Sequence, residues 1–176
     1  MPSGTHLVGS YNAENIAAAL CVGQHFGISS DEALAAVRAY EPTNNRSQAL
    51  QTAHNDLVVD AYNANPTSMQ AAIQAFLASQ SAASSSRPAM FILGEMRELG
   101  DYSRLEHQNI VNMLLEHKEN QVLLVGEEYH KTTAPYPIFH DVQALREHLL
   151  AHPVTDHRIL VKGSRGNQLE KILDVL

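Results

Sequence analysis

The sequence predicts an α/β fold, a Rossmann-like and mostly parallel sheet with helices on both faces. Three observations carry that prediction. Short apolar runs such as AMFILG and QVLLVG suit strands buried on both sides. Amphipathic stretches of helical period, about ten residues or longer, lie between them. From residue 55 onward the two kinds of segment alternate, the pattern of strand–helix–strand units.

Two helices come first. Between Tyr11 and Phe26 apolar residues recur at helical spacing, and Gly27 stands where a helix end favours positive φ; the single cysteine, Cys21, falls on this pattern and is expected in the core. Ser29 and Glu32 form a capping box for a second helix, which Pro42 closes, so the two are expected to pair. The period then changes, with a domain boundary between Glu41 and Asn45. ALQTA and NDLVVDAY read as strands, and a helix follows from Pro66 with Asn65 as its cap. The tract SQSAASSSR reads as a loop before strand AMFILG. After the charged loop GEMRELGDY, Ser103 and Glu106 offer a second capping box for a helix burying Leu105, Ile110, Met113 and Leu114. Strand QVLLVG, an extended PIFH, helix VQALREHLLA, strand RILVKG and helix NQLEKILDVL complete the order.

In such sheets ligands bind beyond the carboxyl ends of the strands, which selects the loops DAYNANP, GEMRELGDY, VGEEYHK and KGSRG. KGSRG sets Lys162 and Arg165 beside glycines and Ser164, an arrangement suited to an anion and equally compatible with a solvated turn. Composition narrows the ligand class. A chain of 176 residues with 44% hydrophobic content buries a real core, and a formal charge of −7 argues against a general nucleic-acid binder. No apolar run approaches the ~20 residues of a membrane span and the first residues lack a signal-peptide pattern, so a cytoplasmic protein with a small ligand is expected. There is no G-x-x-x-x-G-K-[ST] loop, no G-x-G-x-x-G after a strand and no G-x-S-x-G elbow. The ten histidines are scattered, the helically spaced pair His148 and His152 lacks a carboxylate, and no metal site is expected.

GSYNAENIAAAL, NNRSQ, DAYNANPTSM, LGEMRELG and VLLVG…VKGSRG, in that order and spacing, resemble the C-terminal part of the Mur ligases, through nearly the whole chain. G-x-[YH]-N-x-x-N-x-x-A-A is shared with a wider group that includes folylpolyglutamate synthases. D-x-Y-N-A-N-P-x-S-M with L-G-x-M-x-E-L-G is narrower and resembles the branch that adds D-alanyl-D-alanine (D-Ala-D-Ala) to UDP-N-acetylmuramoyl tripeptide.

The resemblance implies an ATP- and Mg2+-dependent ligase of peptidoglycan precursor synthesis, forming an amide through an acyl phosphate. Residues 1–43 would be the helical end of its central ATPase domain and residues 44–176 its C-terminal domain. The phosphate loop, the magnesium-binding acid and a carbamylated lysine would lie upstream of Met1, so this chain is expected not to ligate alone. Tyr11, Asn12 and Asn15 match the adenine-recognising segment, although Asn12 is also a natural helix cap. Arg46 matches an arginine that reaches the ATP phosphates; in a linker it is otherwise a surface residue. Asp60 matches the acid that holds the ribose or orients the nucleotide. Asn63 and Asn65 would line the cleft between domains, Asn65 being equally a plain N-cap. Lys162, Ser164 and Arg165 are assigned by charge to the dipeptide carboxylate. A stand-alone nucleotide- or sugar-phosphate-binding module and an interaction domain remain as alternatives; the latter, like a detached ligase piece, predicts an exposed apolar face between Tyr11 and Tyr40.

Overall fold

The computed structural model describes residues 5–7, 12–42, 46–82, 87–118 and 120–176. Its centre is a six-stranded sheet in the order β1-β2-β6-β3-β4-β5. The strands are β1 (Gln48–Gln51), β2 (Asp56–Asp60), β3 (Ala89–Gly94), β4 (Gln121–Val125), β5 (Ile138–Phe139) and β6 (Arg158–Lys162). β1 is antiparallel to β2, and the other five run parallel. β3 is buried at every position, as a strand covered on both faces must be.

Three helices cover the sheet: α3 (Pro66–Ala82), α4 (Ser103–Leu115) and α6 (Val142–Ala151). Right-handed crossovers explain their sides. From β2 to β3 and from β3 to β4 the chain advances one way, and α3 and α4 pack Met69, Ile73, Phe76, Ile110 and Leu114 against Phe91 and Leu93. After β5 it returns to insert β6 between β2 and β3, so α6 lands on the other face, with Leu145 and Leu149 against Met90 and Ile92. Each such side chain taken from water contributes roughly 1.5–3 kcal/mol before the entropy of ordering is set against it.

Local signals placed most elements well. Asn65 caps α3 by accepting from the Ser68 N–H at 2.8 Å. Asp141 caps α6 through Ala144 N–H, and Ser29 with Glu32 closes the box on α2 (Ser30–Ala39). α1 (Asn12–His25) ends before Gly27, whose φ is +80°.

Six expectations are corrected. α3 runs on through Ala82, into the tract read as loop. The box on α4 does not form: a 3-10 turn at Gly100–Tyr102 leads directly into the helix, Tyr102 is itself helical, and the Ser103 hydroxyl donates to Glu128 instead at 2.6 Å. α4 leaves Leu105 exposed and buries His107 and Val111 beside Ile110 and Leu114. VGEEYHK contains a short helix, α5 (Glu127–His130), and the C-terminal segment is a 3-10 helix over Leu169–Val175, where spacing by three aligns the buried Leu169 and Ile172. Cys21 is exposed.

The α1–α2 pair packs together but carries Val22, Phe26, Ile28 and Tyr40 largely in solvent. That is the expected exposed apolar face, except that Tyr11 lies outside the described residues. No helix among the described residues is long and apolar enough to cross a membrane.

Candidate functional site

β6 lies between β2 and β3, whose following helices leave over the opposite face from its own C-terminal 3-10 segment. Loops that part in this way open a crevice beyond the strand ends. In the β2–β6 register Asp60 stands directly beside Lys162, each the last residue of its strand. Lys162 is fully buried, donating to Asp60 Oδ2 at 2.6 Å and to the Asn63 carbonyl at 3.2 Å. Asp60 also accepts from the Ser47 N–H at 3.3 Å and keeps 14% of its side chain exposed. A carboxylate has about four lone-pair sites, so two remain for a ligand hydroxyl.

Above this pair lies Tyr62, which the sequence reading did not single out. The Arg46 guanidinium carbon sits 3.7 Å from its ring centroid and that of Arg165 5.4 Å. Arg46 first and Arg165 second, by hydrogen bonding and by charge, hold the phenol below its ordinary pKa. Ser47, which turns the chain between Arg46 and β1, adopts φ of 48°, a left-handed conformation unfavourable for a residue with a side chain. Since Lys162 neutralises Asp60, the two arginines leave a positive spot on an otherwise acidic chain, chemically suited to a phosphate or carboxylate.

The three charge-assigned residues of KGSRG separate in space. Lys162 points inward to Asp60, and Ser164 is buried, accepting from the Arg97 N–H at 3.2 Å. Arg165 alone of the three is exposed, beside Tyr62. Asn63 and Asn65 are exposed, and Asn65 spends its side-chain oxygen on the α3 cap. Asn12 and Asn15 belong to the helical pair, where Asn15 Nδ2 donates to Asn12 Oδ1 at 3.2 Å. Tyr11 falls outside the described residues.

A second crevice, of about 280 Å³, opens above β3 and β4 and is lined by Glu95, Arg97, His140, Asn167 and Lys171. Its walls are fixed by packing. At Gly163 an added Cβ would lie 3.0 Å from the Gly94 Cα, so β6 and β3 emerge with their backbones nearly touching. His107 anchors the LGEMRELG loop from below: its Nε2 accepts from the Met96 N–H at 2.9 Å and its Nδ1 donates to the Ser103 carbonyl at 2.7 Å. Burial, chiefly, pushes its pKa down, and this bonding fixes the neutral tautomer.

Comparison with known proteins adds names to this geometry. The family model "Mur ligase, glutamate ligase domain" matches residues 45–165. The UDP-N-acetylmuramoyl-tripeptide–D-alanyl-D-alanine ligase of Rickettsia prowazekii is 33% identical over 75% of this chain and 30% of its own length. That of Bacillus subtilis is 27% identical over 95% of this chain and 38% of its own. Among solved structures, MurF from Acinetobacter baumannii superposes with a TM-score of 0.72 at 26% identity, covering 94% of this chain and 37% of that one. MurF ligase from Thermotoga maritima, crystallised with ADP, gives 0.75 at 22% identity, over 96% and 38%. The chain thus spans well under half the length of the relatives it matches.

Proposed function

This chain belongs to the Mur ligase family, and from that premise we propose that it serves as the closing, C-terminal part of an ATP-dependent ligase. That enzyme adds D-Ala-D-Ala to UDP-N-acetylmuramoyl tripeptide in the cytoplasm. In this reading residues 1–43 end a central ATPase domain and residues 44–176 form the domain that closes on it. The observation that carries the proposal is the pair of guanidiniums, Arg46 and Arg165, held over Tyr62 beside the Asp60–Lys162 pair.

ATP, when bound, activates the tripeptide carboxylate for attack by the dipeptide amine. Arg46 supplies a cation to the phosphates, and Tyr62 fixes its approach by stacking. Asp60, held in place by Lys162, accepts hydroxyl hydrogen bonds from the ribose. Tyr11, Asn12 and Asn15 take the adenine, while Arg165, Asn63 and Asn65 line the rim that meets the dipeptide. Lys162 and Ser164 act on the substrate through others: the first orients Asp60, and the second ties the KGSRG and LGEMRELG loops together. Mg2+ does not fit here, because the one carboxylate of this cluster is neutralised by the Lys162 ammonium and two guanidiniums stand beside it. The ion belongs, in this reading, with the phosphate loop of the preceding domain.

Closure explains the division of labour: a domain that swings onto the reacting groups excludes water from an intermediate prone to hydrolysis. The test is steady-state phosphate release by the full-length enzyme with ATP, UDP-tripeptide and D-Ala-D-Ala. Arg46→Ala and Asp60→Ala are expected to lower kcat by about 10²-fold or more with unchanged circular dichroism. Near-normal turnover in both would remove these roles, and substrate-dependent phosphate release by the 176-residue chain alone would overturn the reading.

A further inference from the structure

We infer that Glu127, His130 and His140 form a binding site for a divalent transition-metal ion of the zinc, nickel or cobalt kind. The inference is independent of the ligase reading. One donor atom from each side chain lies within 4.8 Å of the others, and all three residues are exposed. Glu127 and His130 stand three apart on α5, one turn of a helix, and so share a face. His140 arrives from the connection after β5, its ring centroid 4.9 Å from that of His130. Its Nδ1 is in hydrogen-bond contact with the Glu127 carboxylate.

The backbone beneath is rigid. β4 and β5 pair Val125 with Phe139, and the Gly126 N–H donates to the Phe139 carbonyl at 2.9 Å. Those bonds fix the residues immediately before Glu127 and His140, so the trio rests on the sheet and not on a free loop. Gly126 makes the turn into α5 with φ of +119°, which a residue with a Cβ rarely adopts. The neighbouring cation is committed elsewhere: Lys131 pairs with Glu128 at 2.6 Å. Among the described contacts, the Glu127 carboxylate has His140 as its partner.

Two imidazoles and a carboxylate are the donor set of borderline metals; hard Mg2+ prefers oxygen. Ligand atoms bonded at ordinary zinc distances in a tetrahedron are about 3.4 Å apart, so drawing the trio together needs movements of about 1 Å, well within exposed side chains. Three protein ligands leave a coordination position for water. His140 also lines the crevice above β3 and β4, which sets the site at the edge where ligands of this fold bind.

The test is titration of the chain with CoCl2, read by visible d–d absorption, alongside ZnCl2 calorimetry. One saturable ion per chain is expected. His130→Ala, His140→Ala and Glu127→Gln should each weaken it at least about tenfold, a loss of about 1.4 kcal/mol or more. His152→Ala is the control, because His148 and His152 form another close imidazole pair, stacked at 4.5 Å, and it should change nothing. All of these side chains are exposed, and circular dichroism should stay constant. No saturable binding up to about 1 mM, a millimolar ion being held by only about 4 kcal/mol, would overturn the site. So would binding that survives His140→Ala or Glu127→Gln, or that His152→Ala abolishes.

Discussion

Replacing Lys162 with methionine keeps an unbranched apolar stem, one atom shorter, and deletes the charge. The ammonium is fully buried on the central strand and holds both Asp60 Oδ2 at 2.6 Å and the Asn63 carbonyl at 3.2 Å. Removing one partner of a buried ion pair costs about 3–5 kcal/mol, because the other charge stays behind. Asp60 retains the Ser47 N–H and 14% exposure, which places the expected loss near the lower end, about 3 kcal/mol. For a chain of this size each kcal/mol moves Tm by about 2–4 °C, so a fall of about 6–12 °C is expected. Urea and thermal unfolding by far-ultraviolet circular dichroism measure it. The companion Asp60→Asn, Lys162→Met should recover most of the loss, since the stranded charge is gone and neutral groups of similar shape remain. A single variant within about 0.5 kcal/mol of the parent, the scatter of an ordinary surface substitution, would refute the account of Lys162 as the group that holds Asp60.

Two further outcomes are expected. His107 has its pKa lowered from 6.5, so below that pH the unfolded chain takes up a proton that the folded chain refuses. Stability should therefore fall as pH drops from 6.5 towards the folded pKa, with a slope of at most about 1.4 kcal/mol per pH unit from this group. His107→Gln, compared with the parent across that window by urea unfolding, should show a flatter profile; parallel profiles would remove His107 as the cause. Gly126→Ala should destabilise by about 2 kcal/mol or more, because the added Cβ meets the Glu95 carboxylate at 2.5 Å at a positive φ. Equal midpoints in urea would contradict that crowding.

Much of the architecture was legible because it is written locally. The all-apolar β3, the Asn65 and Asp141 caps and the change of period after Pro42 each report on a few neighbouring residues. What escaped depends on distant partners. Asp60 was identified, but its partner followed only from β6 lying beside β2, a register that no local pattern encodes. Ser103 carried a sound capping signal, but the 3-10 turn before it draws it into the helix, and its hydroxyl donates to Glu128 on another element. Tyr62 had a signal in plain view, an aromatic two residues past a strand end among polar neighbours; its meaning appears only when Arg46 and Arg165 reach it. The histidines looked scattered because His130 and His140 meet through the β4–β5 pairing, not through helical spacing. On α1 and α2 the apolar period marked a face without showing what covers it, so Cys21 was expected inside and stands in solvent.

The position of β6 bears on how the molecule comes to be made. The strand completed last during synthesis is the one that joins the sheet's two halves, and its contacts with β2 span 102 residues. Until it emerges, β2 and β3 each present an unpaired parallel edge, the kind of surface that associates with other chains. Local helices and the β3–β4 pair can form early, whereas closure of the sheet carries the loop entropy of nearly the whole domain. Ribosome stalling or truncation shortly before Arg158 would thus release two half-sheets with open flanks, a species for chaperones and proteases rather than a smaller version of the fold.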